Sequence, residues 1–313
     1  MKKVKVIILF IIFNILLAST FLYLNYVFRN KEYEGAQDLF SAYESPNPDI
    51  VFIGNSHQFC SINPDLLYDE YKVDSFMLAT SAQTVPMSYY AAMEAIELKK
   101  PKTIVFEASY VANDFRTLDG MDHCFFDGFP RCKARKLALE DLVSKDERIY
   151  YLFPFGMFHS RWKDLEKSDF EGFPLSKRGG FVTDEVFSNW GIPVIPKDQV
   201  QQMPKEMEKY LLNLIDLCDR DGVELIIYIA PFNGLYFDDG SYYDLVERQR
   251  IFNSLYDICQ KKNVKFYNLF YEIDNIGLDD ETDWMDSQHF NKNGQAKFTR
   301  YMADKGYLGE LVK

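Results

Sequence analysis

Two short segments at opposite ends of the chain carry the residue types of nucleophilic acyl chemistry. Asp49-Ile50-Val51-Phe52-Ile53-Gly54-Asn55-Ser56-His57 reads as a buried apolar strand running into a Gly-Asn-Ser turn. Asp286-Ser287-Gln288-His289-Phe290-Asn291-Lys292-Asn293-Gly294 holds an Asp and a His three positions apart, ahead of a helical pattern. A Ser hydroxyl is a weak nucleophile until a base takes its proton, and a His serves as that base when a carboxylate fixes its tautomer. Ser56, His289 and Asp286 are therefore the candidate nucleophile, base and orienting acid. Each segment alone also has a plain reading: a strand-ending turn with Ser as helix N-cap, and a surface Asp/His pair.

At a strand-to-helix turn, the N–H groups that open the helix converge near the Ser hydroxyl and can hold an oxyanion. Residues three apart share one face of a helical turn. That spacing predicts a bond from His289 Nδ1–H to Asp286, with Nε2 left for a hydroxyl and His289 at a rigid helix start capped by Asn291. His57 adjoins Ser56, so its side chain diverges from the hydroxyl and reads as a cleft residue. His123 and His159 show no acidic partner at a telling spacing and read as surface or structural residues.

The elements that must position these groups alternate along the chain. Apolar strand patterns cover Ile50–Gly54, Ser75–Ala79, Thr103–Ala108, Glu224–Ala230 and Val264–Leu269, most of them continuous enough to be buried on both faces. Helical spacing marks Met87–Lys99, Pro204–Arg220 and Asp244–Lys261. Such alternation predicts a parallel sheet with helices on both faces, and sites in these sheets form at the carboxyl ends of the strands. Residues 117 to 197 break the pattern. This stretch is rich in aromatics, including Phe125, Phe126, Phe129, Tyr151, Phe153, Phe155, Trp162, Phe170 and Trp190, and reads as an insertion over one edge of the sheet. Its aromatics fit either the insertion's own core or a binding surface.

The N-terminus is the second strong signal. Lys2, Lys3 and Lys5 precede an apolar run from Val6 to Phe28, long enough for a bilayer core that needs about 20 residues. The lysines predict a cytoplasmic N-terminus and an exported domain on a single-pass anchor; a cleaved signal peptide fits less well, for want of a small-x-small exit site. Residues 1–28 are thus the anchor, 29–48 a linker and 49–313 the catalytic domain. The net charge of −12 argues against nucleic acid, whose phosphates are held by clustered Lys and Arg. Among five cysteines, Cys124 and Cys132 are near enough in sequence to pair, and no spacing reads as a zinc site.

Gly54-Asn55-Ser56, with Asp286-x-x-His289 followed by Asn291 and Gly294, resembles the first and last blocks of the SGNH (GDSL-like) hydrolases. The resemblance covers roughly residues 49 to 308. It implies a flavodoxin-like, three-layer α/β fold and a Ser-Asp-His triad of Ser56, Asp286 and His289, with no metal or organic cofactor. It also implies oxyanion donors, for which Ser56, Ala82 and Asn113 are the matching positions. The middle blocks depart from the family: Ala82 stands where a Gly is usual, and Asn113 comes several residues late after the third strand. Glu107 could instead be a buried support residue. With its anchor, the chain is similar to the subset acting on cell-envelope polymers, the teichoic-acid D-alanylation and exopolysaccharide O-acetylation proteins. That implies a membrane-tethered esterase or acyltransferase working on an acylated polysaccharide or teichoic-acid-like polymer, alongside a membrane-bound O-acyltransferase. The different-class alternative is a non-catalytic partner of that acyltransferase.

Overall fold

Predominantly apolar runs form the centre of the molecule. In the computed structural model, which describes residues 2–29, 45–114, 116, 121–129, 131–171, 176–188, 192–232 and 245–310, these runs are five strands. They are β1 (Ile50–Gly54), β2 (Ser75–Ala79), β3 (Thr103–Glu107), β4 (Glu224–Ile229) and β5 (Lys265–Asn268). All neighbours pair in parallel in the order β2-β1-β3-β4-β5. This is the flavodoxin-like order, and its ligand crevice lies where the chain reverses direction across the sheet, between β1 and β3. Each strand falls within about two residues of its sequence pattern; β3 and β4 each end one residue early.

Helices supply the covering layers. In chain order they are α1 (Lys2–Phe28), α2 (Ser56–Ser61), α3 (Pro64–Tyr71), α4 (Val85–Lys99), α5 (Asp122–Phe126), α6 (Lys133–Leu142), α7 (Arg148–Leu152), α8 (Phe155–Phe158), α9 (Lys167–Glu171), α10 (Lys205–Asp221) and α11 (Leu245–Lys262), with α12 (Lys292–Asp304) last; single turns of 3₁₀ helix and one four-residue turn are left unlabelled. Alternation along each strand sorts side chains between two cores. Val51, Ile53, Ile104, Phe106, Ile227 and Ile229 pack with α4, α10 and α11. Ile50, Phe52, Val105, Ile226 and Tyr228 pack with α2, α3 and α12. Each fully buried aliphatic or Phe side chain contributes about 1.5–3 kcal/mol, so both layers hold the sheet ends, and the crevice, in place.

The insertion divides in two. Phe125, Phe126, Phe129 and Leu139 extend the core beside α4, whereas Trp162 and Phe170 stay exposed. Its far end runs beside β2, where the N–H of Met77 donates to Arg178 O at 2.8 Å and covers part of a sheet edge. Trp190 lies outside the described residues. Cys124 and Cys132 are not joined by a disulfide, nor are the other three cysteines. His123 differs from its sequence reading, because Asp127 sits one helical turn on and bonds its Nδ1 at 3.1 Å in a buried pair.

Helix α1 is long and apolar enough to cross a membrane. Its C-terminal end is tied to the insertion. Arg161 Nη1 donates to the carbonyls of Phe28 (3.2 Å) and Arg29 (2.6 Å), groups that have no partner inside a helix. The N–H of Phe155 donates to Asn25 Oδ1 at 3.0 Å. Phe21 packs on Phe153, and Phe28 on Phe155. The expected linker, residues 29–48, lies outside the described residues from 30 to 44.

Candidate active site

The chain leaves β1 through a turn that only glycine fits. Gly54 has φ +155°, and a Cβ there would lie 3.0 Å from Gln58 Cβ and 3.1 Å from Glu107 O. Asn55, not Ser56, is the N-cap of α2: its Oδ1 accepts the His57 N–H at 2.8 Å. Ser56 is the first helical residue, so its own N–H has no carbonyl one turn back. The hydroxyl thus stands at the carboxyl end of β1 beside a helix-opening N–H.

Asp286 and His289 do not share a helical turn, as their spacing suggests, but a loop closed by a bridge between Trp284 and Phe290. The Met285 N–H donates to His289 O at 2.9 Å, and the Asn291 N–H to Asp283 O at 3.0 Å. Within the loop Asp286 Oδ1 accepts the N–H groups of Gln288 (2.7 Å) and His289 (2.8 Å). Its Oδ2 lies 2.8 Å from His289 Nδ1. His289 Nε2 lies 2.7 Å from Ser56 Oγ. With Nδ1–H donated to the carboxylate, Nε2 is the lone-pair nitrogen and accepts the Ser56 O–H. Burial alone would raise the Asp286 carboxyl, but the His289 side chain and the two backbone donors outweigh it and hold it below the usual carboxylate range. Below the loop, Asn291 caps α12 by accepting from Asn293 and Gly294. Gly294 passes so near the preceding turn that a Cβ would meet Asp283 O.

Ala82 and Asn113, the other two expected donors, follow β2 and β3. Ala82 has φ +54°, a left-handed conformation that costs a residue with a Cβ roughly 1–2 kcal/mol and glycine nothing comparable. Ala82 thus holds a backbone conformation that glycine adopts more readily. Asn113 is buried, and its Oδ1 accepts a hydrogen bond from Arg248 Nη1. That contact fixes which way the amide lies. The opposite end, Nδ2, is buried with no partner among the described residues.

Behind Ser56 lies a buried polar chain. Asn55 Nδ2 donates to Ser109 Oγ at 3.1 Å, and Ser109 Oγ donates to Glu107 Oε2 at 2.8 Å. Glu107 also accepts the N–H groups of Ser109 and Ala230. Burial pushes its carboxyl up to about 7, although these donors and the Arg248 charge pull the other way. His57 is buried beside Phe232, 4.5 Å between ring centres, and 5.0 Å from the His289 ring. Burial first, then the neighbouring His289 and Arg248 charges, hold it well below the ordinary imidazole range, so it is a neutral wall residue. Arg248 and Ser109 were not expected from the sequence; an Arg on the apolar stripe of a helix was the one visible signal. Among the described residues, no group of three His, Cys, Asp or Glu side chains could hold a metal ion.

No protein-family model and no curated protein matches the chain. Among solved structures it is similar to the psychrotrophic esterase EstA of a Pseudoalteromonas species, at 14% identity and a TM-score of 0.40, over 82% of this chain and 95% of that one. It is likewise similar to TesA, at 8% identity and a TM-score of 0.41, over 84% of this chain and 99% of that one.

Proposed function

We propose that the chain is a membrane-tethered, extracytoplasmic serine esterase or acyltransferase of SGNH type, acting on O-acyl groups of a cell-envelope polysaccharide or teichoic-acid-like polymer. The observation that carries the chemistry is the continuous line Asp286 Oδ2–His289–Ser56 Oγ, with contacts of 2.8 and 2.7 Å. These are hydrogen-bond distances at which a base takes a proton directly. Ser56 Oγ attacks the ester carbonyl, its proton passes to His289 Nε2, and the carbonyl electron pair moves onto oxygen. The N–H groups of Ser56 and Ala82, with Asn113 Nδ2, receive that oxyanion. When the tetrahedral adduct collapses, the C–O bond to the leaving alcohol breaks and His289 returns its proton to that oxygen. Water or an acceptor hydroxyl then repeats the sequence on the acyl-Ser56, which makes hydrolysis and transfer variants of one mechanism.

The polymer and the location rest on α1 and on the resemblance of the anchored chain to envelope-modifying proteins. A membrane-bound O-acyltransferase is the partner that this reading implies. Ser56→Ala in the full-length protein should lower turnover of p-nitrophenyl acetate by on the order of 10⁴-fold. Unchanged turnover would remove Ser56 as nucleophile. Mass spectrometry of the acyl-enzyme with and without glycan separates the variants, since only transfer makes its decay glycan-dependent.

A further inference from the structure

The insertion meets α1 too far down the helix to stand clear of a bilayer that α1 crosses. Residues 3–23 of α1 are exposed, yet the Phe21 ring already lies 5.1 Å from that of Phe153. Counted from Val6, where the apolar run begins, the roughly 20 residues that fill a hydrocarbon core end near Asn25. Phe21 lies one helical turn short of Asn25, about 6 Å at the rise of an α-helix. A segment packed on Phe21 therefore reaches the boundary between acyl chains and headgroups. Phe155 packs on Phe28, and its N–H bonds to Asn25 Oδ1, so the same segment runs across that boundary.

The side chains that this part of the insertion leaves uncovered suit that level. Outside α1, twelve large apolar side chains are exposed among the described residues, and six of them fall between residues 149 and 170. They are Ile149, Tyr150, Leu152, Met157, Trp162 and Phe170, and they include each exposed Trp, Phe and Met of that set. Met157 lies on α8, Trp162 on the 3₁₀ turn that follows and Phe170 on α9, and all three elements touch α1. The other three lie on α7, which packs against α8. Apolar exposure gathered in one segment marks a contact surface. Trp and Tyr favour the headgroup level of a bilayer, and beside the end of a span the surrounding medium is lipid.

We propose that residues 149–170 are a second membrane contact, lying in the bilayer interface at the C-terminal end of α1 with these six side chains set into lipid. The proposal rests on the reading of α1 as a span, but not on the triad. Trp162 reports on it in the full-length protein reconstituted into vesicles, as the emission of wild type minus that of Trp162→Phe. Lipids brominated near the headgroup end of the acyl chain should quench roughly half of that difference, since interfacial helices bury their apolar face about 5–10 Å deep. Lipids brominated near the chain end should quench it less. A difference untouched by bromine but removed by aqueous acrylamide would place the surface in water and overturn the proposal. One that neither quencher reaches would overturn it in favour of a protein cover, such as a second copy of the chain. Leu16→Trp in the Trp162→Phe background tests the span separately, because a residue in mid-span is quenched by the deep bromines. Quenching at position 16 without quenching at Trp162 would sink the surface and keep the span. Quenching at Trp162 alone would keep the lipid contact and refute the span.

Discussion

Ser56 is held by a neighbour of a neighbour. Asn55 caps the helix that Ser56 opens, Ser109 holds the Asn55 amide, and Glu107 anchors Ser109. The acid end of this chain gives a pH signature. A carboxyl with an ordinary value of 4.5 that rises to about 7 on burial binds more protons in the folded than in the unfolded state across that window. Its contribution to stability is therefore complete below about 4.5, falls as pH rises through about 7, and is flat above. Denaturant midpoints of wild type and Glu107→Gln across this range check the sign. The wild type should lose ground to the variant between about pH 4.5 and 7, and the gap should then stay constant. A gap independent of pH would show that the Glu107 carboxyl titrates alike in the folded and the unfolded chain.

Two turns act at the scale of elements, and both need a missing Cβ. Gly54 lets β3 approach the start of α2, and Gly294 lets α12 lie against the turn before Asp286. The second contact is the tighter, and it is with a backbone carbonyl that no side-chain rotation can move. Gly294→Ala should cost about 3 kcal/mol, the upper end of overpacking effects, read as a lower denaturant midpoint. Activity should fall further than stability explains, because a displaced α12 carries the Asp286–His289 loop away from Ser56. Wild-type turnover in a destabilised but folded Gly294→Ala would show that the loop holds its geometry without that contact.

At the scale of the molecule, the contacts of Arg161 and Asn25 at the C-terminal end of α1 tie that helix to the insertion. If α1 spans the bilayer with its lysines inside, every exposed domain residue faces outward. A Cys introduced at the exposed Asp69 of α3 should react with an impermeant maleimide in intact cells, or in spheroplasts where an outer envelope blocks access. Reaction only after lysis would put the crevice in the cytoplasm, away from any envelope polymer.

Strands buried on both faces write their position into composition, so β1 to β4 were legible from runs such as Ile50–Gly54 and Ser75–Ala79, and the partly exposed edge strand β5 from its mix of aliphatic and aromatic residues. The same holds for helices with an apolar stripe, and for an Asp and a His near enough in sequence to meet whatever backbone joins them. Even there the backbone differed: a bridge-closed loop delivers the contact that a helical turn was expected to make. The rest depends on long-range packing, which no local spacing encodes. Only the folded chain brings Ser56 within 2.7 Å of a residue 233 positions away. Only packing turns Asn113 by way of Arg248, and it gives Cys124 and Cys132 no disulfide despite their nearness in sequence. The aromatics of the insertion show the limit most plainly. Phe126 and Trp162 are alike in composition terms, yet one is buried and the other exposed, because burial is set by what the rest of the chain packs against each ring.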